Sequence, residues 1–390
     1  MTTENEILST LRDRLSTLAE SSPSTTITQR QRAMHIEHLE DLPLEFGSRG
    51  MQAVIDVLSA MRAGAGNLSV KFDGKPAIVV GRNNNGEFIL TDKSAFASKS
   101  YNGLATTPQE LEGIMRRRSG ERDNLVNMYN RIWEPLSQVV PKDFRGYIQG
   151  DLLWSEKPKL VDEKWVFKPN TVDYSVDAKS EMGKLIAQSQ VGVVFHTIID
   201  QTGATTPLTD QPFHSTTSVV VMHSGFDNTP KLNINQSDID SLNKFINQWQ
   251  GAIDKLLSPE ILRELKIVDF PKTFKKYVNF QVKTTVDDVN GYYKWLTTEN
   301  LHENKIRRMI AHVQANEKAL HALMTFCISV RKIKSKLIHD LNQLEYPIQA
   351  SIGSVDNHQE GFVYSYGEIL VKLVDRLTFS RSNFLNNGNI

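Results

Sequence analysis

Near the N-terminus apolar residues recur at Ile7, Leu11, Leu15 and Leu18, a helical spacing that Ser21-Ser22-Pro23-Ser24-Thr25-Thr26 then breaks. The pattern predicts a docking helix and linker over residues 1–30. Val54, Val57, Leu58 and Met61 share one face of a predicted helix over Met51–Met61, closed by Gly64-Ala65-Gly66. From Leu68 to Thr91 the text changes to two apolar strands around Arg82-Asn83-Asn84-Asn85-Gly86, a hairpin signal. Further strands are predicted at Gly146–Trp154, Lys164–Lys168, Gly192–Ile199 and Ser218–Met222, with helices at Pro108–Arg118 and Asn124–Val139. The first half therefore predicts an α+β fold of mostly antiparallel sheets.

After about Lys231 the periodicity becomes helical, as in Ile239-Leu242-Phe245-Ile246 and Ile306-Met309-Ile310-Val313, punctuated by Pro259, Pro271 and Gly291. Strand signals return at Gly361–Tyr364 and Glu368–Val374. The organisation expected is a sheet domain over 31–230 and 346–390, interrupted by an all-helical insertion over 231–345.

Lys+Arg and Asp+Glu are equal at 45 each, so no global field draws a polyanion and any such site is a local patch. Basic residues do cluster in the helical region at Lys305, Arg307 and Arg308, and again at Arg331, Lys332, Lys334 and Lys336. These fit a phosphate-tracking face or a solvated one equally well. The single cysteine, Cys327, lies in an apolar run and predicts a buried thiol, not a nucleophile or ligand. No basic and apolar leader opens the chain and no apolar run nears about 18 residues, so a soluble, cytoplasmic protein without a membrane partner is expected.

Candidate chemistry begins at Lys71-Phe72-Asp73-Gly74, a lysine at a strand end followed by a glycine that permits a sharp turn. An amine fixed there becomes a nucleophile once apolar walls or a neighbouring cation favour its neutral form. His35, Glu37 and His38 lack the spacing that places two imidazoles on one helix face, and with Glu40 and Asp41 they read better as a polar turn than as a metal site.

In chain order the motifs resemble those of the covalent nucleotidyltransferases, the superfamily of DNA ligases, RNA ligases and mRNA-capping enzymes. Lys71-Phe72-Asp73-Gly74 resembles motif I, and Tyr147-Ile148-Gln149-Gly150-Asp151 motif III. Val193-Val194-Phe195-His196 is similar to motif IIIa, Glu360-Gly361-Phe362-Val363 to motif IV, and Ile369-Leu370-Val371-Lys372-Leu373 to motif V. The gap from Glu360 to Lys372 suits adjacent antiparallel strands. Departures are Lys93 where an arginine is usual, Asp151 where glutamate is usual, and Val374 at the second lysine of motif V. The run His35 to Pro43, with Phe167-Lys168-Pro169-Asn170-Thr171, also looks like uncharacterised ligase-like proteins of tailed bacteriophages.

The resemblance implies an ATP-grasp-like nucleotidyltransferase domain and an ATP- and Mg²⁺-dependent polynucleotide ligase, working in the bacterial host cytoplasm if phage-encoded. With only Asp375–Ile390 after motif V and no room there for an appended barrel, the RNA-ligase branch is the nearer one, RNA being preferred to DNA. By resemblance Lys71 takes AMP covalently, and Lys372 meets the α-phosphate and lowers the pKa of Lys71. Asp73, Gly74, Lys93, Asp151 and Phe195 line the nucleotide, Phe195 stacking on the base, while Glu360 and Asp151 hold the metal. AMP then passes to a 5′-phosphate end, which is sealed to a 3′-hydroxyl. The alternatives are a nick-sealing DNA ligase or a catalytically reduced nucleotide- or nucleic-acid-binding protein on the same fold.

Overall fold

The computed structural model describes residues 36–376 apart from 100–103, 201–202, 209–212, 227–229, 231, 285–290, 345, 347, 353–354, 357 and 368. The helix expected over 7–18, and His35, lie outside the described residues. The described residues open with a two-residue strand, β1 (Glu37–His38), a 3-10 turn (Leu39–Asp41) and helix α1 (Leu42–Ala63), kinked where Gly47 leaves the helical dihedrals at φ 59° and ψ −135°. Gly64 ends α1 in the left-handed conformation, φ 73°, its N–H donating to the carbonyls of Ala60 and Met61. Then come β2 (Asn67–Lys71), β3 (Ala77–Arg82), β4 (Phe88–Asp92), α2 (Lys93–Lys99), α3 (Pro108–Arg116) and α4 (Asp123–Val139). The middle holds β5 (Gly146–Trp154), β6 (Lys159–Val161), β7 (Lys164–Phe167), β8 (Asp173–Asp177), α5 (Glu181–Gln188), β9 (Val191–Ile199), β10 (Thr205–Pro207) and β11 (Val219–Met222). Helices α6 (Gln236–Leu256), α7 (Pro259–Glu264), α8 (Phe270–Thr284), α9 (Gly291–Leu296), α10 (Glu303–Ala315) and α11 (Glu317–Asn342) follow. Strands β12 (Gln349–Ile352), β13 (Val355–Asp356), β14 (Gly361–Tyr366) and β15 (Ile369–Val374) come last.

Among the described residues the fold is α+β with three sheets dominated by antiparallel pairs. The first sheet runs β1-β15-β14-β2, with β1 parallel to β15. Side chains alternate across a strand, so Leu68, Phe362, Tyr364, Val371 and Leu373 turn to one face. That face packs on α1 and the later helices in a single core containing Met51, Leu58, Ile246, Phe274 and Leu323. The helices of 236–342 thus form no core apart from the sheet; they are the layer that buries its apolar side.

The second sheet runs β10-β9-β5-β3-β4, with β11 parallel to β9. Ile78, Ile148, Val193 and Phe195 pack on α3 and α4 through Leu111, Val126 and Trp133. The third sheet, β13-β12-β8-β7-β6, joins the other two through Trp154, Phe167, Tyr174, Met222, Ala350 and Val374. Among the described residues no helix is long and apolar enough to cross a membrane.

Candidate functional site

The polar face of the first sheet is fixed by register. Lys71 pairs with Gly361, and Gly361 with Val374; two residues away Ser69 pairs with Val363, Val363 with Lys372, and Lys372 with His38. Because the side-chain period is 2, Lys71, Lys372, Ser69 and His38 all stand on the face away from the helices. Glu360 immediately precedes β14, and its Oε2 accepts a hydrogen bond from Lys71 Nζ. The antiparallel neighbours expected from the short gap between Glu360 and Lys372 are β14 and β15, with Val363 opposite Lys372.

The turn after Lys71 carries the chain to the second sheet. Lys75 N–H donates to the Leu152 carbonyl at 2.9 Å, and Leu152 N–H to the Pro76 carbonyl at 3.1 Å. A Cβ on Gly74 would stand 2.5 Å from Asp151 Cβ and 2.9 Å from the Leu152 carbonyl oxygen. Glycine is therefore required by close passage over β5, whereas the resemblance gave it a place against the nucleotide. This crossing sets Asp151 beside Lys71.

Asp73 also has a structural occupation. Its Oδ1 accepts from Asn170 Nδ2 at 2.8 Å, and its Oδ2 from the backbone N–H groups of Thr171 at 2.5 Å and Val172 at 2.9 Å. Its own N–H donates to Tyr174 Oη at 2.7 Å. The buried carboxylate pins the Lys71 turn to the segment after β7 instead of reaching toward a ligand. Sequence singled out both segments but not their contact, which spans about a hundred residues.

Phe195 needs correction. It is 1 % exposed and packs edge-on against Phe213 in the core with α3 and α4, so it cannot stack on a base. Alternation along β9 brings the next residue out instead: His196 Nε2 lies 3.5 Å from Asp151 Oδ2, and His196 Nδ1 is 2.8 Å from Thr197 Oγ1. Lys93 opens α2 directly after β4, near enough to feel both Asp151 and Lys71. The second motif V position, Val374, is buried in the apolar core joining the sheets.

The electrostatics reverse one expectation. Burial disfavours the Lys71 ammonium, but Glu360, Asp151 and Asp73 outweigh it, so its pKa lies above the ordinary lysine value. Lys372 instead has the lowered one: burial and then the Lys71 charge bring it down to about 8. Burial pushes Glu360 up to about 7, against the pull of Lys71. Burial, with help from Lys71 and against Asp151, lowers Lys93. The result is a cluster of three lysines and two carboxylates, Glu360 and Asp151, where two sheets meet. Among the described residues no group of three or more His, Cys, Asp or Glu side chains could hold a metal ion. Two carboxylates do suit Mg²⁺, which binds through one or two of them together with substrate phosphates.

The run from Glu37 to Asp41 makes its contacts with basic residues. It ties β1 down. Glu37 accepts from Lys275 of α8 at 2.5 Å, Glu40 from Lys334 of α11 at 2.5 and 2.7 Å, and Asp41 from Arg376 Nη1 at 2.8 Å. Lys334 is 0 % exposed and Arg331 is buried too, while Lys305 pairs with Asp269 and Arg307 with Glu303. Of the basic residues singled out in the helical region, Lys334 and Arg331 are thus buried and Lys305 and Arg307 paired with carboxylates. Cys327 is buried as expected, and burial pushes its thiol pKa well up.

No curated protein and no solved structure matches the chain. A family model does match residues 33–387, a span that holds the lysine cluster, the buried anchor of β1 and all three sheets, and the chain accordingly belongs to that family, described as a family of unknown function (DUF6267).

Proposed function

We propose that the protein is an ATP-dependent nucleotidyltransferase on an ATP-grasp-like fold, acting as a polynucleotide ligase with RNA as the preferred substrate. One observation carries the reading: Lys71 and Lys372 share the polar face of one sheet, with Glu360 hydrogen-bonded to Lys71 and with Asp151 and Lys93 beside them. Lysines converging with carboxylates are the groups a phosphoryl-transfer site requires, since its transition state gathers negative charge on phosphoryl oxygens.

In this reading Lys71 first sheds a proton to water, because Glu360 holds it as the ammonium. The Nζ lone pair then forms a bond to the α-phosphorus of ATP. The bond from that phosphorus to the bridging oxygen breaks, its electron pair leaving with pyrophosphate. Loss of a second Nζ proton to water leaves a neutral phosphoramidate nitrogen carrying AMP. Lys372 and Lys93 meet the phosphate charge. Asp151 and Glu360 would hold Mg²⁺, which when bound supplies neutralisation at the phosphates. AMP is next transferred to a 5′-phosphate, whose attack releases Lys71, and a 3′-hydroxyl displaces AMP to join the strand.

The test is incubation with Mg²⁺ and α-labelled ATP or GTP beside Lys71→Ala, in protein first freed of bound AMP with pyrophosphate. Label on the denatured wild type, absent from the variant and discharged by pyrophosphate, is the expected result; a folded wild type that takes no label sinks the transfer mechanism. The ion pair that keeps Lys71 protonated favours a second reading, a nucleotide-binding protein that has lost transfer. That protein would bind ATP without acquiring label.

A further inference from the structure

The two-residue strand β1 is far more heavily anchored than its length explains. Three ion pairs, Glu37–Lys275, Glu40–Lys334 and Asp41–Arg376, fasten it and the turn after it to α8, α11 and the end of β15. Glu40, Asp41, Lys334 and Arg376 are all nearly or fully buried. Charges taken out of water cost several kcal/mol each before pairing offsets it, so such a cluster is weak evidence for stability and better evidence that a geometry is being specified. The geometry it specifies is the parallel register His38↔Lys372.

That register extends a line. Reading across the polar face from β2 to β1, Lys71 is followed by Lys372 and then by His38. With strands about 5 Å apart, His38 stands one strand beyond Lys372 on the side away from Lys71. The His38 ring is held neutral by burial and by the surrounding charges of Lys334, Arg376, Lys372 and Lys275. Its Nδ1 is sealed from solvent and makes no hydrogen bond among the described residues. A proton on Nδ1 would be a buried donor without an acceptor, so the single proton of the neutral ring belongs on Nε2, where it is a donor. The position that motif V leaves to Val374 lies in the apolar core and offers no donor.

Resting on the nucleotidyltransferase reading, we infer that His38 is a further substrate-contacting residue of this cluster, donating from Nε2 to the pyrophosphate portion of the nucleotide, beyond the α-phosphate that Lys372 meets. The row Lys71, Lys372, His38 then follows the triphosphate outward from the attacking amine to the leaving group.

Binding of inorganic pyrophosphate and of AMP, each with Mg²⁺, is measured by calorimetry on the full chain, together with labelling by α-labelled ATP. The variants are His38→Leu, which removes the donor, and His38→Gln, which keeps a neutral N–H donor. Expected is a weakening of pyrophosphate binding of roughly tenfold in His38→Leu, with AMP binding unchanged and His38→Gln within about threefold of wild type. Discharge of the labelled protein should need correspondingly more pyrophosphate in His38→Leu. Equal loss of AMP and pyrophosphate binding, or no loss of either, overturns the assignment. If His38→Leu does not fold, His38→Gln still decides the matter by its pyrophosphate affinity: a loss of tenfold or more in the folded variant rejects the donor role. A wild type that binds pyrophosphate through His38 but takes no label from ATP would refute the transferase reading and leave the pyrophosphate contact standing. A wild type that binds no pyrophosphate rejects the contact whatever the labelling shows.

Discussion

Lys372 should be a residue that the folded protein would be more stable without. Its pKa falls from an ordinary 10.5 to about 8, through burial first and the Lys71 charge second. A lysine whose folded pKa is depressed has its charged form penalised in the native state. The penalty is complete below the folded value and disappears as pH rises to the unfolded one. The fall to about 8 corresponds to about 3 kcal/mol, which is a ceiling because the side chain is partly exposed and water screens it. Replacing Lys372 with Met keeps the volume and removes the charge, so a gain of about 1–2 kcal/mol is predicted at pH 7. The gain should shrink above pH 8 and approach zero near pH 10.5, where the unfolded lysine also titrates. Urea unfolding of wild type and Lys372→Met at pH 7, 8.5 and 10, read by far-UV circular dichroism, measures it, while α-labelled ATP follows function on the same samples. More stability with less label is the signature of a charge kept for its chemistry. A variant less stable than wild type at pH 7, or a gain that does not change with pH, would refute the electrostatic argument.

Three further outcomes are expected. Lys334→Met leaves Glu40 short of its main partner in the interior and should cost about 3–5 kcal/mol in urea unfolding, most of it recovered when Glu40→Leu is added. Gly74→Ala forces a methyl against the backbone of β5, costing about 1–3 kcal/mol, and by displacing Lys71 from Asp151 it should slow labelling more than it lowers stability. Phe195→Leu should lower the melting temperature, since it opens space beside Phe213, yet leave nucleotide affinity within about twofold; a large loss of affinity would return the ring to the site.

The elements that the sequence disclosed were those whose pattern is local and long. The β3–β4 hairpin, the nine-residue strands β5 and β9, helices α4 and α11, and the part of α1 after its kink at Gly47 carry a period of 2 or 3.6. Of the third sheet the sequence disclosed only β7, because the strands are short, between two and five residues, and because the partners β8 and β12 lie far apart in sequence. What the helices of 236–342 pack against was hidden for a related reason. Their periodicity marks an apolar face but not what covers it, and its cover is the first sheet together with α1.

The site divides along the same line. Lys71, Asp151, Glu360 and Lys372 sit at strand ends or on strands whose alternation is readable, so their order could be matched to chemistry before their contacts were known. The run Glu37-His38-Leu39-Glu40-Asp41 could not be read that way, because nothing in it is periodic and its meaning is supplied from the other end of the chain. Leu39 enters the core, Glu37 turns to α8, Glu40 to α11, Asp41 to Arg376, and only His38 remains on the face that Lys372 shares. Four neighbouring residues committed to four different partners leave one side chain with no structural task, in a run rigid enough to hold it in place. A rigid support beneath an uncommitted polar group is what a binding residue requires, and this separates His38 from the acidic residues around it, which the sequence presents as the same kind of polar turn.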